Sequence, residues 1–285
     1  MDPNTHEKVV LIEKKYFLAY LTANEKDFSV DYLNFLNMTK RHPGVLRVHV
    51  YIAVSEVKER RRFDDVAISL IENLINQCDW LELNQVIYKN NIGRDFSSAQ
   101  ACLNAIAEVA HDQDEILVRN RSAYGPFESD WYKKYADLLN SNEKIGLVGN
   151  TINQSGHPKV VYQESEHLAH VQTYLYLSRF KIFKDFIADF PGANETDRLT
   201  LINKGEIGLS QKIIERGYHI CCLNWPDVFA GRATTLPKAL PTNDTKLYVL
   251  NLPFIHRKSK IRYQSLQFRV RWGFLLFWRL TDYHN

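Results

Sequence analysis

A chain of 285 residues with 45% hydrophobic and 24% charged residues has ordinary globular composition, which excludes a disordered or fibrous protein. It is long enough to bury a large core, and none of its apolar runs reaches bilayer-spanning length. The net charge of +3 hides an asymmetry, because residues 256–285 carry +6 and the rest carries −3.

The opening residues MDPNTHEK have neither a basic nor an apolar leader region, so a cytoplasmic start is expected. Four cysteines (Cys78, Cys102, Cys221, Cys222) lie in apolar surroundings with no zinc spacing, and are expected as buried free thiols. Residues 16–23 (YFLAYLTA) form a β-rich run that predicts a first strand. Tyr32, Leu33, Phe35 and Leu36 at helical spacing predict a helix over 30–38, closed by His42-Pro43-Gly44. A second strand is expected at 48–54, a helix at 66–75 and a third strand at 81–88. That strand enters KNNIGRDFSSAQ, residues 89–100, the stretch around which the chain is organised.

Glycine at 93 allows close backbone approach, and Asp95 occupies the expected N-cap of the following helix. A strand, a glycine turn and a helix N-terminus can hold an anion, and Arg94 adds a planar donor fork. On spacing alone, a simple capped turn with a solvated Arg94 explains the stretch equally well. A fourth strand is expected at 115–118, followed by RNRSAYGP, a helix over 129–141 and a fifth strand at 145–148. Such alternation indicates an α/β sheet, mainly parallel, with helices on both faces. It breaks after Asn150. A helix is expected over 201–216 with Glu206 near its start, then a strand at 218–223 and a loop over 226–243. The chain has no P-loop, GxGxxG fingerprint, Gly-x-Ser-x-Gly elbow or HExxH.

Five segments together, NNIGRDFSSA, ILVRNRSAYGPF, HVQTYLYLSRFKIF, EIGLSQKIIERGY and NLPFIHRKSKIR, resemble the rhamnan synthesis protein F family in the same order. That resemblance covers roughly residues 16–262 and implies a GT-A-like (Rossmann-type) fold. It also implies transfer of a sugar from a nucleotide-sugar donor to a growing surface glycan of O-antigen, capsule or rhamnan type. By the same resemblance Gly93, Arg94, Asp95, Asn120, Arg121 and Ser122 bind the donor. Tyr124, His170, Gln172 and His256 contact donor or acceptor, with Lys258 an alternative to His256 at the diphosphate. Glu206 is the implied general base of an inverting reaction, presented at a helix N-terminus. The family pattern has an acidic residue where this chain has Arg121, with Arg119 nearby. Two cations cannot ligate a metal but can neutralise a diphosphate, so the expectation is a metal-independent site, or one with lost or altered activity, and a divalent cation stays open but disfavoured. The same arginine keeps open a second reading, a degenerate transferase domain that binds glycan or a partner. A different nucleotide-dependent transferase on a similar sheet is a third.

The expected division is a transferase domain over 1–255 and a basic, aromatic segment over 256–285. Its RVRWGFLLFWRL run sets tryptophans and phenylalanines between arginines. Such a helix either lies in a membrane interface, at the inner face of the cell membrane and near a lipid-linked glycan acceptor, or packs on the domain or a dimer partner. No nucleic-acid module accompanies it.

Overall fold

The computed structural model describes residues 13–153, 169–232, 252–258 and 262–282. Its strands are β1 (Tyr16–Ala23), β2 (Val48–Glu56), β3 (Leu81–Asn90), β4 (Glu115–Asn120), β5 (Ala123–Tyr124) and β6 (Ile145–Gly149). They continue with β7 (Ile152–Asn153), β8 (His170–Val171), β9 (Leu175–Arg179), β10 (His219–Cys222), β11 (Trp225–Ala230) and β12 (Ile255–His256). The helices are α1 (Ser29–Thr39), α2 (Arg62–Asn76), α3 (Arg94–Ala107), α4 (Lys133–Asn140), α5 (Phe180–Phe183), α6 (Arg198–Thr200), α7 (Gly208–Glu215) and α8 (Leu266–Asp282).

The main sheet has the order β11-β10-β6-β9-β4-β1-β2-β3. Strands β1 to β4, β6 and β10 share one direction, while β9 runs antiparallel between β4 and β6 and β11 antiparallel at the edge. Successive strand side chains point to opposite faces, so a strand buried on both sides reads as a continuous apolar run. In β1, Leu18 and Tyr20 enter a core shared with Phe35 of α1, Ile71 of α2, Tyr135 of α4 and Trp272 of α8. Phe17, Ala19 and Leu21 enter the opposite core with Leu103 of α3, Phe183 of α5 and Ile213 of α7. The chain is thus a mixed α/β protein with a mainly parallel sheet and helices on both faces.

Four expectations are corrected. Asp95 is not the N-cap: Gly93 (φ +69) and Arg94 (φ +47) are both left-handed, so α3 starts earlier and its cap is Gly93. Glu206 does not stand at a helix start, because α6, a π-helical segment Leu201–Ile207 and α7 run on continuously. Asp197 caps this run by accepting from the Thr200 amide at 2.9 Å, nine positions before Glu206. The expected loop after 226 contains β11, an edge strand paired with β10; residues 233–243 lie outside the described residues. Arg119 does not face a ligand. It is fully buried, its guanidinium lying 4.5 Å from the Phe254 ring and 5.2 Å from Tyr20 and donating to the Ala123 carbonyl.

The expected division at residue 255 falls inside β12, which pairs antiparallel with β5. Cys78 is half-buried, and Cys102, Cys221 and Cys222 are buried free thiols.

Candidate functional site

Strand order reverses between β1 and β4, since β2 and β3 extend from one side and β9 and β6 from the other. In an open α/β sheet that reversal leaves a crevice beyond the carboxyl ends of the strands. Here the crevice is framed by residues 22–24 at the end of β1, residues 120–124 from the end of β4 into β5, and the turn from β3 into α3.

Asp95 occupies this corner. Asn120 Nδ2 donates to Asp95 Oδ2 at 2.7 Å, while Asn120 Oδ1 accepts from the Ser122 amide at 2.8 Å. One asparagine therefore shapes the loop after β4 and fixes the carboxylate of α3. Asp95 is open to solvent yet ringed by protein. Reduced hydration pushes its carboxyl up, and the Asn120 amide and the charges of Arg121, Arg257 and Arg94 pull it back down. The exposure and the upward push are compatible in a concave wall, where water reaches the oxygens but cannot surround them.

Arg121 is fixed from below. Its Nη1 lies 2.7 Å from the Ala23 carbonyl and 3.8 Å from Asp31 Oδ2. Asp31 is buried and also accepts from Tyr20 Oη at 2.9 Å. Burial pushes the Asp31 carboxyl up, which the Arg121 charge opposes. Arg257 arrives from the C-terminal part of the chain, its amide donating to the Ser122 carbonyl at 2.8 Å. The sequence pattern had marked its neighbours His256 and Lys258 instead. Hard divalent cations take several oxygen ligands. This corner presents one carboxylate among three guanidinium groups, so its residues do not fit such a cation. Among the described residues, no three His, Cys, Asp or Glu side chains converge as a metal site.

The glycine turn differs from a free anion cradle. The Gly93 amide donates to the Glu195 carbonyl, Arg94 to Asn91 and Phe96 to Gly93. Positive side chains, rather than these backbone amides, supply the charge. A Cβ on Gly93 would lie 1.9 Å from the Ala193 carbonyl oxygen, so only glycine fits this left-handed turn. The same packing brings in Glu206: Gly205 lies so close to Phe96 that a Cβ would sit 2.5 Å from its ring. Glu206 is half-buried in the π-helical segment, a backbone form concentrated at functional sites.

His170, 3% exposed, lies in β8, which pairs with β7 and packs on that π-helical segment. The Gln172 amide donates to the Thr151 carbonyl at 3.2 Å, just beyond β6. His170, through the packing of β8 on that segment, thus belongs to the Glu206 side. Tyr124 stacks on Tyr263 at 4.1 Å and 9°, so one ring face is covered. His256, in β12, packs on the Tyr174 ring at 4.9 Å. Burial, then Lys258 and Arg257, lower its pKa to about 4, so it is neutral at pH 7.

Lys89 is a site neighbour that sequence reasoning missed. Its Nζ donates to Ser55 Oγ and the Ile92 carbonyl, each at 3.3 Å, and burial lowers its pKa to about 8 against the attraction of Asp95. The signals in the sequence were its place at the end of a strand and at the head of the KNNIGRDFSSAQ stretch, where it was given no role.

Strand order and its reversal define an open, mainly parallel α/β protein with a basic corner beyond the carboxyl ends of β1 and β4. No family model matches the chain, and no curated protein matches it. Among solved structures it is similar to a 4-diphosphocytidyl-2C-methyl-D-erythritol synthase, with 12% identity and a TM-score of 0.45 over 93% of this chain and 99% of that one. It is also similar to the mannosyltransferase PcManGT from Pyrobaculum calidifontis, solved with GDP-Man and Mn2+. There the identity is 10% and the TM-score 0.46 over 74% of this chain and 55% of that one. A third is S. aureus TarS 1-349 in complex with UDP, at 12% identity and a TM-score of 0.44 over 73% of this chain and 57% of that one. The chain thus spans little more than half of the latter two.

Proposed function

We propose that this protein is a nucleotide-sugar glycosyltransferase that extends a surface glycan, with the donor diphosphate held at the Asp95 corner. The observation that carries the reading is the Asn120–Asp95 hydrogen bond at the strand-order reversal, within the electrostatic reach of Arg121, Arg257 and Arg94. In this reading Asp95 and Asn120 accept from and donate to ribose or base, with Gly93 allowing the close approach and Ser122 shaping the loop. The guanidinium groups neutralise the diphosphate as it leaves, work done elsewhere by a divalent cation. The reaction is therefore metal-independent.

Glu206 is the general base that takes the proton from the attacking acceptor hydroxyl, giving inversion at the anomeric carbon. Its segment packs directly on the Asp95 turn through Gly205 and Phe96. His170, Gln172, Tyr124 and His256 contact sugar or acceptor, and the acceptor is a glycan or a lipid-linked glycan. The protein works in the cytoplasm. Arg121 in the acidic position also favours a second reading, a domain that binds nucleotide or glycan without turnover.

A transfer assay with and without chelator, using wild type and Glu206→Gln, tests the proposal. The expected result is turnover indifferent to chelator and lost in Glu206→Gln with donor binding retained. Binding without turnover in the wild type would favour the second reading.

A further inference from the structure

Helix α8 uses one face to pack and leaves the opposite face apolar. Trp272 and Leu276 are buried, Trp272 Nε1 donates to the Asp27 carbonyl at 3.1 Å, and its ring lies 4.8 Å from Tyr32. Leu266, Val270, Phe274, Phe277 and Trp278 fall on the other side at helical spacing, each between 51% and 67% exposed. An uncovered apolar stripe of this size marks an interaction surface. Arg269 and Arg271 flank it on either side, and residues 266–281 hold no Asp or Glu. Beside it, α8 and α2 enclose a groove of about 240 Å³ where Arg62 and Arg279 stand with Val66, Leu70, Ser69 and Asp65.

The geometry points to an anionic phospholipid surface as the occupant: we propose that α8 lies in the membrane interface, with its Phe274, Phe277 and Trp278 side among the acyl chains. Tryptophan and phenylalanine suit that depth, and flanking arginines reach the headgroups. A second copy of the chain fits less well, because a two-fold pairing through the same stripe brings like charges together. Among the described residues, no helix is long and apolar enough to cross a membrane, so the helix lies on the surface.

The position of α8 adds a functional consequence. It packs on the first turn of α1, at Tyr32, and along the first half of α2, from Arg62 to Leu70, and both helices start from the carboxyl edge of the sheet. Just before α8, Tyr263 accepts from the Gly125 amide, stacks on Tyr124 and donates to Asn34 Oδ1 at 2.6 Å. The membrane plane thus lies along the rim onto which the Asp95 crevice opens. A lipid-linked acceptor would be delivered to that rim, a consequence that rests on the transferase reading above.

Truncation is a poor test, since Trp272 and Tyr263 anchor the core. The full chain is instead floated with phosphatidylglycerol–phosphatidylcholine vesicles and with phosphatidylcholine alone, as wild type, Phe274→Ser/Phe277→Ser/Trp278→Ser and Arg269→Gln/Arg271→Gln. Wild type is expected to float with the anionic vesicles. The serine variant should float roughly tenfold less with an unchanged melting temperature, and the arginine variant should lose the anionic preference. Absence of wild-type flotation, or equal flotation of the serine variant, overturns the proposal. So does a wild-type dimer in light scattering that the serine variant converts to monomer, which would make the stripe a protein interface. Nucleoside diphosphate binding by the serine variant should be unchanged, so failure of membrane docking and failure of the transferase reading are read separately.

Discussion

Asn120 and Asp95, 25 positions apart in sequence, meet through a 2.7 Å hydrogen bond from the Asn120 amide to the Asp95 carboxylate. The bond joins the end of β4 to the first turn of α3 across the strand-order reversal. A hydrogen bond to a charged group contributes about 1.5–3 kcal/mol. Asn120→Ala should therefore weaken nucleoside diphosphate binding roughly tenfold or more, read by calorimetry, because Asp95 loses its orientation and Ser122 its turn. Unchanged affinity would remove Asn120 from the site.

The contact between Gly205 and Phe96 predicts a steric coupling. Gly205→Ala places a methyl 2.5 Å from the Phe96 ring and should cost about 1–3 kcal/mol in chemical denaturation, as overpacking does. In a Phe96→Leu background the same substitution should cost clearly less, giving a non-zero coupling in the double-mutant cycle. Additive costs would contradict the packing of the Glu206 segment on the α3 turn.

Arg119 is a buried cation whose Nε has no hydrogen-bond partner. Truncating a large buried side chain to alanine costs about 3–5 kcal/mol through the cavity it leaves, whereas an apolar replacement of similar volume costs far less. Arg119→Ala should lower the melting temperature strongly and Arg119→Met mildly, with nucleotide affinity of Arg119→Met retained. Loss of affinity in Arg119→Met at full stability would restore the ligand role expected from sequence.

His256 predicts a pH dependence of folding. An unfolded imidazole takes its proton near pH 6.5, and the folded one near 4. Between those values the unfolded chain holds the extra proton, so stability rises with pH and is lost as pH falls from about 6.5 to about 4. The loss amounts to at most about 3 kcal/mol, and His256→Gln should flatten the stability profile over that window. An unchanged slope would assign the acid sensitivity to other groups.

The sequence made the scaffold legible wherever burial was two-sided. Runs such as YFLAYLTA and VHVYIAV became β1 and β2 because strands covered on both faces carry continuous apolar residues. The GRD turn was located correctly, but its cap was misassigned, because two successive left-handed residues leave no mark in residue type beyond Gly93. Arg119 and Arg121 looked alike in sequence. Alternation along β4 sends Arg119 into the core among Tyr20 and Phe254, while Arg121, beyond the strand, reaches the site. Glu206 resembled a first-turn residue since nothing in LINKGEI announces a π-helical segment within a longer run. Arg257 and Lys89 were missed because their place depends on strand pairing and turn geometry rather than local pattern.

The proposed function stands on the Asp95 corner holding a nucleoside diphosphate. Calorimetry of wild type and Asp95→Ala against UDP, GDP, CDP, ADP and dTDP, without divalent cations, tests it most directly. One of them is expected to bind the wild type, and Asp95→Ala to lose that binding while keeping its melting temperature. Silence of the wild type across the panel, or equal binding by Asp95→Ala, would contradict it.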